Sequence, residues 1–159
     1  MNGYNKMYQT VYLGLGTNLG NKKNNLENAL NALFIHLGEP VKVSSTYHSE
    51  PWGFESNDSF LNIVASYKTL LKATEILSIC MDIESKLGRK RNSTSRYESR
   101  IIDIDILLLG DLILDEDNLK IPHPLIIERL FVLEPLLEIC DQKILNIYKS
   151  SLAKLKSKK

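Results

Sequence analysis

The chain contains little cysteine and no long hydrophobic run. Only two of its 159 residues are cysteine, Cys80 and Cys140, and they lie far apart in apolar stretches. This excludes a disulfide scaffold, and we expect two buried free thiols in a reducing compartment. The most apolar run, Ile106–Leu109, is far shorter than the roughly 20 residues of a membrane-spanning helix. The first ten residues are polar and lack a secretory signal. We therefore expect a cytoplasmic protein with no membrane contact.

Charge is balanced overall but unevenly distributed. Twenty basic and 19 acidic residues give a net charge of +1. Lys86–Arg100 carries six basic residues and one acid, whereas Asp103–Asp117 carries six acids and no base. Such neighbouring blocks suit a ligand that is an anion carrying metal cations. The lysines of residues 154–159 are expected to form a frayed basic tail of a single domain spanning residues 1–159.

Hydrophobic periodicity predicts alternating strands and helices. Four strands are expected, at Tyr8–Leu15, Val41–Tyr47, Phe60–Thr69 and Ile101–Leu109. Two amphipathic helices are expected, at Asn21–Leu37 and Lys72–Leu87. The order β-α-β-β-α-β predicts a ferredoxin-like α+β sandwich, with the helices on one face of an antiparallel sheet and a ligand cleft on the other. A short strand at Leu112–Leu114, a helix with Pro135 in its first turn and a last helix at Ile144–Leu155 should follow.

Asp103 and Asp105 are the most specific candidate for a metal site in the sequence. Residues i and i+2 of a strand share a face, about 6–7 Å apart, so both carboxylates should lie together while Ile104 and Ile106 face the core. Carboxylates at this spacing suit Mg²⁺, which keeps several waters and shares phosphate oxygens. The alternative is an ordinary pair of solvent-facing acids.

The arginine-rich segment before this strand is predicted to be a mobile loop. Arg89, Arg91, Arg96 and Arg100 could close over a polyphosphate, because guanidinium groups match phosphate oxygens in paired hydrogen bonds. The alternative interpretations of this segment are a flexible basic surface loop and a contact with nucleic acid. His123, held between two prolines, could donate to a phosphate or pack a turn.

Aromatic residues and an amide predict a pocket for a flat heterocycle. Phe60 and Asn62 share a strand face, and Trp52 and Phe131 could complete the pocket. The alternative is that both phenylalanines belong to the core. Glycines 14, 16 and 20 miss the dinucleotide-binding spacing by one position, so we expect them to shape the turn between the first strand and helix.

Eight short stretches follow one another in a fixed order: residues 12–20 (YLGLGTNLG), 44–47 (SSTY), 50–53 (EPWG), 60–62 (FLN), 83–89 (IESKLGR), 100–106 (RIIDIDI), 121–124 (IPHP) and 129–136 (RLFVLEPL). Together they closely resemble the 6-hydroxymethyl-7,8-dihydropterin pyrophosphokinase family, and the resemblance extends over roughly Tyr12–Ile139.

The resemblance implies an ATP-dependent diphosphokinase of folate biosynthesis. In this reaction ATP gives its β,γ-diphosphate to the pterin hydroxymethyl group and leaves as AMP. Two Mg²⁺ ions bound with ATP are expected at Asp103 and Asp105, which with Arg89 and Arg100 form the implied catalytic set. The implied ATP contacts are Arg89, Arg91, Arg96, Arg100, Ile106, His123 and Arg129. The implied pterin contacts are Phe60 and Phe131 as the two stacking rings, Asn62, and Ser49 and Trp52 through the backbone. Glu98-Ser99 stand where the family usually has a small residue and proline.

Two other functions compete with this one. A ferredoxin-like RNA-binding module could use the basic loop and aromatic residues of the sheet. It would not explain Asp103 and Asp105, which repel a nucleic-acid backbone. A catalytically inactive pterin or nucleotide sensor is the third possibility, and the intact acids and arginines argue against it. We expect a monomer that binds ATP and the pterin, without nucleic acid.

Overall fold

A computed structural model describes residues 7–50, 59–88 and 101–158. The elements run along the chain as follows: β1 Gln9–Thr17, α1 Lys22–Leu37, β2 Lys42–Val43, β3 Tyr47–Ser49, β4 Phe60–Thr69, α2 Ala73–Lys86, β5 Asp103–Leu109, β6 Leu114–Glu116, β7 Leu119–Ile121, α3 Leu130–Ile139 and α4 Gln142–Ser157. The main sheet has the order β2-β4-β1-β5, and β3 also pairs with β4. All of these pairs are antiparallel, as predicted for the ferredoxin-like arrangement. β6 and β7 form a separate hairpin; the short strand predicted at Leu112–Leu114 overlaps β6 only at Leu114, and β7 was not predicted.

Helices α1 and α2 cover one face of the sheet. The Asn21 side chain accepts a hydrogen bond from the backbone N–H of Asn24 and so begins α1, while Gly38, at φ +78°, ends it. The apolar stripe of α1 packs on β4 and β1 and that of α2 packs on β5, which buries Leu33, Ile76 and Cys80. This is the main core, and it lies between the sheet and the two helices, on the face opposite the predicted ligand cleft.

Helices α3 and α4 cover part of the opposite face. Leu133 and Leu136 of α3 pack against Val64 and Leu107 of the sheet. The expectation that this face is left to the ligand is therefore incomplete. The reason lies in β4, where residues 62–67 are buried on both faces, so the strand needs a second apolar layer.

Two predictions about the C-terminal part were wrong. Pro135 lies inside α3, which begins five residues earlier at Leu130. At this interior position the proline cannot donate to the carbonyl of residue 131 and its ring crowds that carbonyl, and the burial of Leu133 and Leu136 offsets this cost. The expected frayed tail is helical up to Ser157, because an apolar stripe that includes Tyr148, Leu152 and Leu155 packs on α3. In the described part of the chain, every helix is too short or too polar to cross a bilayer.

A β-bulge splits the predicted strand at Val41–Tyr47. Val43 pairs with Ala65, whereas Tyr47 pairs with Asn62. Ser44, Ser45 and Thr46 thus lie opposite two residues, Ile63 and Val64, which defines the bulge. Its effect is to turn Tyr47 and Ser49, rather than Thr46 and His48, toward the face that carries Phe60 and Asn62.

Candidate active site

An open cleft lies on the face of the sheet that α3 only partly covers. Its volume is about 660 Å³, including space open to solvent. The strands supply Gly14, Leu15, Gly16, Phe60, Asn62, Ile63, Val64, Asp103, Asp105 and Leu107, and the remaining lining residues are Glu50, Arg129, Phe131 and Val132. Six described residues predicted for the site are therefore brought together: Asp103, Asp105, Phe60, Asn62, Phe131 and Arg129.

The floor of the cleft is made by two glycines in the central strand. Gly16 pairs with Asn62 on one side and Asp103 on the other, and Gly14 pairs with Val64 and Asp105. Gly14 lies in the predicted strand Tyr8–Leu15, whereas Gly16 was expected in the turn that follows it, and the structure places both in β1. Because opposed residues share a face, glycine at both positions removes the side chains that would fill the cleft. A Cβ added at Gly16 would lie 3.0 Å from Asn62 Oδ1.

Asp103 and Asp105 occupy the cleft face of β5, as the alternation predicted. Both are half-buried, and the buried Ile104 and Ile106 between and beyond them face α1 and α2. Among the described residues, no cluster of three or more acidic, histidine or cysteine side chains could hold a metal. A pair of carboxylates fits a hard ion such as Mg²⁺, which takes its remaining ligands from water and phosphate.

The Asn62 side chain has a fixed orientation. Its Nδ2 donates to the Tyr47 carbonyl at 3.2 Å and to Ser49 Oγ at 2.8 Å. A carbonyl oxygen can only accept, so this nitrogen is the amide N–H₂ group and Oδ1 is the atom next to Gly16. Asn62 therefore offers an acceptor to a ligand edge that lies over Gly16. The role expected for Ser49 was through its backbone, and the structure adds a hydroxyl that holds Asn62.

Phe60 and Phe131 reach the cleft from different elements. Phe60 begins β4, and its ring lies 3.8 Å from the position of a Cβ on Gly16. Phe131 lies in the first turn of α3, where the Arg129 guanidinium carbon is 5.8 Å from its ring centroid. Both rings are half-buried rather than part of either core cluster. This favours the pocket over the alternative that they are core residues.

His123 lies next to the cleft but does not line it. Its Nδ1 accepts a hydrogen bond from the backbone N–H of Leu125 at 3.1 Å. The proton of the neutral imidazole is therefore on Nε2, which can donate. Burial lowers the pKa of His123, and the positive charge of Arg129 lowers it further against an opposing effect of Asp103. The ring is thus kept neutral near pH 7.

Ile106, a further predicted ATP contact, does not line the cleft. Ile106 is 3% exposed in the main core, so its side chain is turned away from the cleft. Trp52, Arg89, Arg91, Arg96 and Arg100, and the Glu98-Ser99 departure, lie outside the described residues.

Sequence reasoning missed Glu50, Gly14 and Gly16 as cleft residues. The signal for the glycines was their spacing of two within an apolar β run, which places both on one strand face. Glu50 directly follows β3. Its position depends on the bulge that shifts the pairing of β3 with β4, and the strand pattern of the sequence does not reveal this bulge.

The carboxylate pair and the aromatic rings share one cleft of an α+β sandwich, an arrangement that favours an enzyme handling a metal-bound anion beside a flat ring. The sequence model of the 7,8-dihydro-6-hydroxymethylpterin-pyrophosphokinase family matches residues 12–141. The chain belongs to this family of pyrophosphokinases, and the earlier resemblance is confirmed.

Named relatives agree with this assignment. The chain is 41% identical over 137 residues to the 2-amino-4-hydroxy-6-hydroxymethyldihydropteridine pyrophosphokinase of Bacillus subtilis, covering 86% of this chain and 81% of that one. It is 41% identical over 147 residues to the protein of the same name from Aquifex aeolicus, covering 92% and 90%.

Solved structures agree on the fold. The chain resembles a crystal structure of Plasmodium falciparum HPPK-DHPS with a TM-score of 0.69 and 18% sequence identity. The match covers 86% of this chain and 43% of that one, so the present chain spans less than half of the larger protein.

Proposed function

We propose that this protein transfers the β,γ-diphosphate of ATP to the hydroxymethyl group of 6-hydroxymethyl-7,8-dihydropterin, releasing AMP, and that it requires Mg²⁺. The observation that carries the proposal is the joint presence of Asp103, Asp105, Asn62 and the two phenylalanines in one cleft. Family membership supports the same reaction. The site is proposed to act in the cytoplasm, in a monomer.

The pterin is proposed to bind at the Gly16 end of the cleft. Its ring would stack between Phe60 and Phe131, which gives contact area and a preference for flat, aromatic ligands. Its edge carries an N–H and an amino group, and these donors match the Asn62 Oδ1 acceptor. The backbone near Ser49 and Trp52 would read the rest of that edge.

ATP is proposed to bind on the Asp103–Asp105 side. His123 Nε2 and Arg129 would donate to phosphate oxygens, together with Arg89, Arg91, Arg96 and Arg100. Ile106 could contribute only through its main chain, because its side chain is buried in the core. Two Mg²⁺ ions, if held by Asp103 and Asp105, would neutralise the charge of the triphosphate.

The chain's own residues then have to align two reactants rather than supply a nucleophile. The pterin hydroxyl oxygen forms a bond to the β-phosphorus, the bond from that phosphorus to the α,β-bridging oxygen breaks, and AMP leaves while the hydroxyl proton is released. Phe60, Phe131 and Asn62 hold the acceptor, and the arginines and His123 hold the donor. Positioning and charge stabilisation dominate phosphoryl transfer.

Phosphorus NMR on the purified protein with ATP, the pterin and Mg²⁺ tests this function. AMP and a pterin diphosphate should appear in equal amounts, with no ADP. ADP as the product would refute diphosphoryl transfer. Tight RNA binding without AMP formation would favour the RNA-binding alternative, and ligand binding without turnover would favour the inactive sensor.

A further inference from the structure

The Ser44–Thr46 bulge, outside the cleft, is tied to helix α3. The backbone N–H of Ser45 donates to Glu138 Oε2 at 2.8 Å, and Ser45 Oγ donates to Glu138 Oε1 at 2.7 Å. One carboxylate thus receives two charge-assisted hydrogen bonds from one residue, a geometry that fixes direction as well as distance. Both partners are exposed, so the pair does not serve to bury a charge.

Glu138 and Phe131 lie on the same face of α3. Seven residues separate them, which is close to two full turns, or about 10.5 Å along the axis. The two hydrogen bonds from Ser45 to Glu138 therefore fix how far α3 is rotated about its axis, and with it the direction in which Phe131 points. Pro135 lies between the two and cannot donate to the Phe131 carbonyl, so the helix itself is held less firmly at that level.

Ser45, the partner of Glu138, lies in the bulge that precedes β3, and this bulge affects the side of the pocket formed by Asn62. The bulge decides that Ser49, and not His48, pairs with Phe60 and reaches Asn62. Ser44 closes the bulge from within, because its Oγ accepts from the backbone N–H of Val64 at 2.9 Å. The Ser45–Glu138 pair therefore joins the element that orients Asn62 to the element that carries Phe131.

We infer that Ser45 and Glu138 are positioning residues for the pterin, which set the spacing between its stacking ring and its edge-reading amide without touching it. This inference rests on the proposed function. A positioning role predicts an effect on the pterin alone, because the carboxylates that serve ATP are on β5, at the other end of the cleft floor from the bulge.

The test measures two dissociation constants on each variant in the full chain. Glu138→Ala should raise the Kd for 6-hydroxymethyl-7,8-dihydropterin about fivefold to tenfold, as expected for losing charge-assisted hydrogen bonds at an exposed site. The Kd for a non-hydrolysable ATP analogue should change by less than about twofold, and kcat at saturating pterin should also stay within about twofold. Ser45→Ala keeps the backbone hydrogen bond and should lie between wild type and Glu138→Ala.

Glu134→Ala is the matched control. It removes a carboxylate from the same helix, but that carboxylate lies 3.5 Å from Lys156 Nζ of α4 instead of near the bulge. Its pterin Kd should equal that of wild type. Ser45→Thr restores the hydroxyl and should recover most of the affinity lost in Ser45→Ala.

Three results would overturn the inference. The first is an unchanged pterin Kd in folded Glu138→Ala, which leaves the proposed function intact because wild type still binds. The second is an equal loss in Glu138→Ala and Glu134→Ala, which would indicate general loosening of α3. The third is failure of wild type to bind the pterin, which also removes the proposed function. If Glu138→Ala does not fold, the pterin Kd values of Ser45→Ala and Ser45→Thr test the inference instead. An unchanged Kd in Ser45→Ala, or no recovery of affinity in Ser45→Thr, would then overturn it.

Discussion

Gly16→Ala is the most informative single change in the cleft floor. Gly16 lies in β1 without a positive φ, so alanine meets no backbone strain there. The new Cβ would lie 3.0 Å from Asn62 Oδ1 and 3.8 Å from Phe60 Cδ1. The amide cannot move aside easily, because its nitrogen is held at 3.2 Å and 2.8 Å by Tyr47 and Ser49. The methyl group thus intrudes where we place the edge of the pterin.

The expected changes in stability and in pterin affinity for Gly16→Ala follow from different physical effects. Replacing glycine by alanine stabilises a compatible position by about 0.4–1 kcal/mol through the unfolded state, and the close contact offsets this, so stability should change by less than about 1 kcal/mol. Pterin binding should weaken by about 1–3 kcal/mol, or roughly fivefold to 150-fold in Kd, because overpacking at the ligand edge displaces either the ring or the amide.

The assay is equilibrium binding of the pterin, with urea unfolding of the same sample. Gly14→Ala is the comparison on the same strand face, where the Cβ would meet Leu107 Cδ2 at 3.4 Å, the flexible end of a side chain. It should weaken pterin binding less than Gly16→Ala does. Wild-type pterin affinity in a folded Gly16→Ala variant would refute the proposed position of the ring.

Three further predictions concern single side chains. Phe131→Ala should weaken pterin binding by about 1–3 kcal/mol, by analogy with base–aromatic stacking, with ATP-analogue affinity unchanged; an equal loss of both in calorimetric titrations would argue against a stacking role. The folded-state pKa of His123 lies below its ordinary 6.5, so unfolding takes up a proton and stability should fall as pH drops below about 6.5. His123→Asn should flatten that slope in urea titrations at several pH values, and an identical slope would contradict the assignment. Cys140 is only half-buried, which corrects the expectation of two buried thiols, while burial raises the pKa of the fully buried Cys80 thiol to about 12. A thiol reagent should therefore label Cys140 before Cys80 in the native protein, and both after denaturation. Rapid labelling of both in the native state would be inconsistent with the core described here.

The sequence was sufficient for the features that follow from strict periodicity. The alternation around Asp103 and Asp105 predicted which face the acids occupy, and Phe60–Thr69 matches β4 to the residue. Apolar spacing likewise predicted α1 and α2 to within one residue at each end. These features depend only on local backbone geometry.

The features that failed depend on tertiary contacts. The split between β2 and β3 arises from a bulge that is held by Glu138 of α3 and by the hydrogen bond from the backbone N–H of Val64 in β4 to Ser44 Oγ. Pro135 resembles a helix start, yet packing of Leu133 and Leu136 overrides that local preference. Gly16 was assigned to a turn because its chain neighbours alone cannot reveal that it pairs with Asn62 and Asp103.

The measurement that tests the central claim most directly is the rate of AMP formation in Asp103→Asn and Asp105→Asn at saturating Mg²⁺. Each change replaces a half-buried carboxylate by a neutral isostere, so β5 should fold as before and the pterin should still bind without nucleotide. If the pair serves the triphosphate, turnover should fall at least about 10²-fold to 10³-fold, the loss typical of removing one electrostatic stabiliser from an active site. Turnover within about tenfold of wild type in both variants, less than about 1.4 kcal/mol of barrier, would contradict the account.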